Sequence, residues 1–386
     1  MTATLPATAR RPASGPPGSI ASSRRPTPAA RASSVDLASH RFSTPDAAPA
    51  LRWGVLGAGW IADVFARSLL GHTRSRIHAV ASRDSHRSNL YARTYDVPTV
   101  RSGDGAYERL VSDPNVDAVY IATPHAFHRE HALLALEAGK PVLVEKAFTR
   151  NAVEASEVLE AARKAGLFAM EAMWTRFLPH MVEARRLVAA GAIGDVVHVS
   201  ADFGGSPAYD PASKNFDPAL AGGALLDLGV YPINLIHDFL GAPESIRAIG
   251  ALAPTGVDVR ETIIMEFRER SAMGLALSTF EVDTARLASI TGTKGRIDFG
   301  REWYGPSSFS LHREGRKTLE FRQDIPLGWQ YQLAEVARCI ADGRIESDVM
   351  PHSATLDVMR VMDEARAQLG VTYPGEAKRQ ARAGRA

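Results

Sequence analysis

From residue 51 onward, the apolar positions of the chain fall into two successive rhythms. In the first, short runs of strand character alternate with stretches of helical spacing. Residues 51–56 (LRWGVL), 77–81, 118–121, 142–144 and 168–170 read as buried strands. Between them, residues 60–70, 87–95, 106–111, 127–138 and 152–165 carry helical patterns, and Gly139 and Gly166 stand where a helix should end. Strand and helix in alternation predict a parallel sheet with right-handed crossovers.

The rhythm changes after Trp174. A helix over 179–190 precedes a strand of period two at 196–203, and another helix, 229–240, follows a loop. Then 245–251, 261–267, 272–280, 288–291, 295–299, 309–312 and 317–321 read as strands joined by short turns such as Gly292-Thr293-Lys294-Gly295. Such a series predicts an antiparallel sheet. Helices over 329–341 and 353–369 close the pattern. The expected fold is α/β over 48–172, followed by an α+β part over 173–373 built on an open, mainly antiparallel sheet.

Composition narrows the function. A chain of 386 residues suits two or three folded units, and 45% hydrophobic residues suffice for a sizeable core. A net charge of +2 gives no reason to expect nucleic acid or membrane as partner, and no run of 18 apolar residues exists to span a bilayer. The single cysteine, Cys339, excludes an internal disulfide framework and fits a reducing compartment. Residues 1–47 are dominated by Ala, Pro, Ser, Thr and Arg and read as a disordered tail. Its pairs Arg10-Arg11 and Arg24-Arg25 are followed by Pro, Gly and Ser where an export signal needs an apolar run, so a cytoplasmic protein is expected. Residues 374–386 read as a basic, solvated tail.

Gly57-Ala58-Gly59-Trp60-Ile61-Ala62 is a G-x-G-x-x-A turn between a predicted strand and a predicted helix. In that setting Gly57 permits the tight turn, Gly59 lets backbone approach a pyrophosphate, and Ala62 lets helix pack on strand. Trp60 and Ile61 then open a helix whose free N–H groups suit phosphate oxygens. A dinucleotide is the expected ligand. The second strand ends in Ser82-Arg83 where NAD enzymes commonly place an acid on the ribose. A hydroxyl and a guanidinium suit a 2′-phosphate, which predicts NADP, with NAD still possible because Asp84 follows.

Thr123 and His125 follow one buried strand, and Glu145 and Lys146 follow the next, at the strand ends where open α/β sheets bind ligands. His125, His128 and His131 recur every three residues, but no carboxylate or cysteine cluster completes a metal site and none is expected. In Gly222-Gly223-Ala224-Leu225-Leu226-Asp227-Leu228-Gly229-Val230-Tyr231, Asp227 and Tyr231 lie four apart and share a helix face. Asp227 can pair with a lysine, and Tyr231 can move a proton if an ammonium stabilises its phenolate.

Together these segments resemble the Gfo/Idh/MocA oxidoreductase family, from about residue 51 to residue 373. The resemblance implies an N-terminal Rossmann domain, a C-terminal sheet that often forms oligomers (a homodimer or homotetramer), and an active site containing Lys146 and Asp227. Two departures are Ala147, where the family commonly has Pro, and Tyr231, where it commonly has His. Tyr231, with Met173-Trp174-Thr175-Arg176-Phe177, is similar to the branch of dihydrodiol dehydrogenase, NADP-dependent xylose dehydrogenase and glucose-fructose oxidoreductase. The implied chemistry is hydride transfer between nicotinamide and a sugar hemiacetal or secondary alcohol of a small molecule. Tyr231 or Lys146 would serve as base, with Asp227 fixing Lys146. Gly57, Gly59, Trp60, Ile61, Ala62, Ser82, Arg83, Thr123, His125 and Glu145 are expected to hold the cofactor. Lys146, Trp174, Arg176, Tyr231 and Asn234 are expected to meet substrate. The alternatives are a non-catalytic nucleotide-binding regulator of the same fold, or an inositol or cyclitol dehydrogenase.

Overall fold

The computed structural model describes residues 44–376 apart from 323. Most of the two expected tails, 1–47 and 374–386, therefore lies outside the described residues. Where the description begins, Pro45–Ala47 already makes a 3-10 turn, and Arg74 donates to the Ala48 carbonyl at 2.9 Å. At the other end Glu376 is ion-paired to the buried Arg366 at 3.0 Å. Folded structure thus reaches a few residues into each stretch that composition assigned to a tail.

The first half is a six-stranded parallel sheet in the order β3-β2-β1-β4-β5-β6. Its strands are β1 (Arg52–Leu56), β2 (Arg76–Ser82), β3 (Thr99–Ser102), β4 (Ala118–Ile121), β5 (Val142–Val144) and β6 (Ala169–Glu171). The helices α1 (Trp60–His72), α2 (Ser85–Tyr95), α3 (Ala106–Val111), α4 (His128–Glu137) and α5 (Ala152–Ala165) connect them. Trp53, Phe65 and Tyr120 are fully buried, and the last two stack at 4.0 Å. Strand β3 has no apolar run to announce it: Thr-Val-Arg-Ser is half-buried throughout and sits at the sheet edge.

After α6 (Pro179–Ala189) comes an eight-stranded sheet in the order β14-β13-β12-β11-β7-β10-β9-β8. Its strands are β7 (Val196–Gly204), β8 (Ser245–Leu252), β9 (Asp258–Phe267), β10 (Ala272–Thr279), β11 (Ala288–Gly292), β12 (Gly295–Phe299), β13 (Phe309–Arg313) and β14 (Leu319–Phe321). All pairs are antiparallel except β7 with β10, which run parallel in the middle of the sheet. The sheet is thus mainly antiparallel, as expected, and the one parallel pair arises because α7 (Val230–Leu240), β8 and β9 intervene between its two strands in sequence. A hairpin turn cannot make such a return; a long crossover can. Helix α7 packs on β7 and β10, covering a face formed by Val199, Ala201, Ile263, Met265 and Ala276. Helices α8 (Gln330–Ala341) and α9 (His352–Leu369) complete the described chain. Among the described residues, Pro218–Leu240 is long and apolar enough to cross a membrane, but most of it is buried core.

Candidate active site

The glycine turn has the geometry its sequence implies. Gly57 has φ +98°, and a β-carbon there would stand 2.7 Å from the Ala122 carbonyl, so only glycine fits. Around Gly59, by contrast, a β-carbon would meet nothing within 4 Å, which leaves an open cradle beside the first turn of α1. Ala62 is fully buried against the sheet, while Trp60 is 73% exposed. At the end of β2, Ser82 is buried and its hydroxyl accepts the Asp84 amide at 3.2 Å. Arg83 lies over the Phe127 ring, 5.2 Å from its centroid. Asp84 caps α2, accepting the amides of His86 and Arg87 at 2.9 and 3.1 Å. Helix α2 accordingly starts two residues earlier than its apolar spacing suggested. The open cradle, the free first turn and the exposed arginine fit a dinucleotide carrying an extra phosphate.

The ends of β4 and β5 meet the second half of the chain nearby. Thr123 follows β4, its hydroxyl 3.0 Å from His131 Nδ1. The His125 ring nitrogens lie 3.2 Å from the carbonyls of Ala221 and Lys146, and burial pushes this imidazole down to about 3. It is neutral and can donate to only one of those carbonyls. Burial likewise lowers His128 and His131 from the ordinary imidazole value. Glu145, following β5, is buried beneath the site, where it accepts the Tyr120 hydroxyl at 2.5 Å. The Lys146–Ala147 peptide bond is cis.

Lys146 Nζ reaches across to the second half, donating to Asp227 Oδ1 at 2.9 Å and to the Asp227 carbonyl at 2.6 Å. It also stands 5.1 Å from the centroid of the Tyr231 ring. Burial disfavours the lysine charge, but Asp227 and Tyr231 outweigh it, and the ammonium is held above its ordinary pKa. Burial would likewise raise Asp227, yet Lys146, Lys214 and His125 pull its carboxyl well below the usual range. For Tyr231 burial wins: the phenol is pushed up to about 12, against the pull of Lys146 and of the Trp174 indole. That indole donates to the phenol oxygen at 3.0 Å.

Not every predicted residue joins this group. Arg176 (5% exposed) and Asn234 (2%) bind each other. The same guanidinium also faces the Val349 carbonyl, His237 and Asp238. The pair ties the turn after β6 to α7. Sequence reasoning missed four residues that do line the phenol or its carboxylate. Trp329 stacks at 3.7 Å on Trp174, the residue that donates to the phenol, and Phe203 and Tyr304, stacked on each other, lie 5.4 and 5.7 Å from the Tyr231 ring. Lys214 approaches Asp227 Oδ1 at 3.7 Å from an exposed loop. The three aromatic residues sit in or beside loops distant in sequence, and no local pattern marks any of the four.

An ammonium locked to a carboxylate beside a phenol, at the carboxyl ends of a dinucleotide-type sheet, defines an oxidoreductase site. Residues 51–173 match the family described as "Oxidoreductase family, NAD-binding Rossmann fold", and residues 181–298 match the "GFO/IDH/MocA C-terminal domain". The chain belongs to the Gfo/Idh/MocA family of oxidoreductases. Among particular relatives, it is 36% identical over 364 residues to a D-xylose 1-dehydrogenase (NADP(+)) of Hypocrea jecorina, covering 84% of this chain and 93% of that one. It is 34% identical over 335 residues to a trans-1,2-dihydrobenzene-1,2-diol dehydrogenase of Xenopus tropicalis, covering 84% of this chain and all of the other. Among solved structures, an aldose-aldose oxidoreductase of Caulobacter crescentus complexed with glycerol aligns with a TM-score of 0.76 at 25% identity, over 83% of this chain and 98% of that one.

Proposed function

We propose that this chain is an NADP-dependent dehydrogenase acting on a secondary alcohol or on the hemiacetal carbon of a sugar. The observation that carries the reading is the Lys146–Asp227 pair held beside the Tyr231 phenol. NADP, held by the Gly57–Ala62 turn and Arg83, would supply the hydride acceptor for the substrate carbon. Tyr231 takes the proton from the substrate hydroxyl as the carbonyl forms, and the Lys146 charge makes its phenolate accessible. Asp227 keeps Lys146 charged and oriented. Trp174 donates its indole N–H to the phenol oxygen and so favours the phenolate. The aromatic walls of Phe203, Tyr304 and Trp329 suit the apolar face of a sugar ring or of a dihydrodiol.

Preference for NADP rests on Arg83, exposed at the end of β2, and on Asp84, whose carboxylate is committed to the α2 amides. The Hypocrea relative named for NADP(+) supports the cofactor, and the two named relatives support the substrate class. The second half is proposed to form a homo-oligomer through the uncovered face of its sheet. The experiment is NADPH formation on a panel of aldoses and trans-dihydrodiols, with Tyr231→Phe and Lys146→Ala beside wild type. Each variant should lose about a hundredfold or more in kcat. Full activity in either removes that residue from the chemistry, and nucleotide binding without turnover on any substrate would make the protein a sensor instead.

A further inference from the structure

Arg83, the residue given to the 2′-phosphate above, is exposed. A long, free side chain has to be ordered before it can grip an anion, and that ordering costs entropy. The acid beside it does not hold it: Asp84 pairs with Arg87 at 3.3 Å and caps α2. The support comes from a different strand end. The Arg83 guanidinium carbon lies 5.2 Å from the centroid of Phe127, the last residue of the 3-10 turn His125–Phe127 after β4. An aromatic face attracts a cation through its quadrupole. A guanidinium held by its face keeps its N–H edge free for a phosphate.

The place of this contact is informative. In the sheet, β1 lies between β2 and β4, so Arg83 and Phe127 join the ends of the two strands that flank the glycine turn. Phe127 is itself backed from below. Its ring stacks on the His131 imidazole at 5.9 Å and 26°. That imidazole meets the Tyr107 ring of α3 edge to face at 4.5 Å, and its Nδ1 lies 3.0 Å from the Thr123 hydroxyl. Burial raises the Tyr107 phenol, and the nearby Arg83 pulls against it. The last histidine of the 125, 128, 131 series thus has a packing role here, behind the ring that carries the arginine.

We propose that Phe127 is a positioning residue for cofactor selection: its ring fixes Arg83 beside the glycine turn, where the guanidinium meets the 2′-phosphate. The inference rests on the NADP reading above. It adds a residue from another strand that acts through Arg83 and needs no contact with the phosphate.

Isothermal titration calorimetry with NADPH and NADH tests this without turnover. Phe127→Leu removes the ring and keeps an apolar side chain; Phe127→Met takes its place if leucine does not fold. The variant should bind NADPH about two- to fivefold more weakly and NADH as wild type does. Phe127→Tyr should restore NADPH affinity. In an Arg83→Ala background, Phe127→Leu should change neither affinity, because the residue it acts through is gone. An unchanged NADPH affinity in Phe127→Leu overturns the proposal. So does an equal loss for both cofactors, or the same NADPH loss with and without Arg83, since Phe127 would then serve the part both cofactors share. A wild type that binds NADH as tightly as NADPH removes the NADP reading and this inference with it. A wild type that prefers NADPH whatever stands at 127 removes the inference alone.

Discussion

Tyr231 accepts a hydrogen bond from the Trp174 indole at 3.0 Å while Lys146 stands to one side of its ring. Because burial pushes this phenol up to about 12, its proton must leave before it can accept another. Alcohol oxidation should therefore keep accelerating up to about pH 10, with no plateau near neutrality. A pH profile of kcat/KM checks this, and Tyr231→Phe should abolish the rising limb. Trp174→Phe removes the indole donor and keeps an aromatic wall. It should move that limb to higher pH and cut kcat about five- to tenfold with KM little changed, as stopped-flow rates would show. Lys146, Asp227 and Tyr231 were legible in the sequence because strand-end position and four-residue spacing are local signals. Arg176 and Asn234 stand close to the same motifs, and their side chains bind each other. Lys214, Tyr304 and Trp329 reach the site only through tertiary folding.

Elements carry their own tests. Strand β6 ends in Glu171, which is buried and accepts the Phe148 amide and the Thr355 hydroxyl, both at 3.2 Å. Burial pushes this carboxyl up to about 7. Its folded pKa lies above its unfolded value, so the stability linked to its proton is fully present at low pH and is lost as pH rises toward 7. Glu171→Gln keeps a neutral side chain at every pH. Relative to wild type it should gain stability between about pH 5 and pH 8, by up to about 3 kcal/mol, in chemical denaturation. A gap that does not change with pH would show that the carboxyl is ionised throughout. Most elements were readable from apolar spacing, including all the helices of the first half. Strand β3 was not, because an edge strand of half-buried polar residues has no period to detect. Leu225–Gly229, which forms a π-helical turn ahead of α7, was also hidden, since Asp227 and Tyr231 read as an ordinary helical pair.

At the scale of the whole molecule, the eight-stranded sheet is covered by α7 on one face only over its central strands. Register places Ile264 opposite Leu275, with Met273 and Ile249 on the same face, and all four are exposed. An apolar patch crossing three strands marks an interaction surface. The double variant Ile264→Glu, Leu275→Glu should convert an oligomer to monomer in light scattering while leaving NADPH affinity intact. A wild type that is already monomeric would remove this role from the sheet. The open sheet was legible from period-two strands, but its order was not. Joining β7 to β10 depends on contacts across a helix and a hairpin, and single-strand patterns carry no information about partners.

The cap on α2 bears on how the cofactor preference could be re-engineered. Asp84 resembles the acid that would select an unphosphorylated ribose, yet turning it loose would unwind the helix it starts. Removing Arg83 alone should therefore weaken NADPH without recruiting NADH. A switch in currency has to begin at Ser82, where a carboxylate would enter at the strand end and Asp84 could stay in place. Comparing NADH dissociation constants for Arg83→Ala and for Ser82→Asp with Arg83→Ala would show whether the helix cap has closed off the shorter evolutionary route.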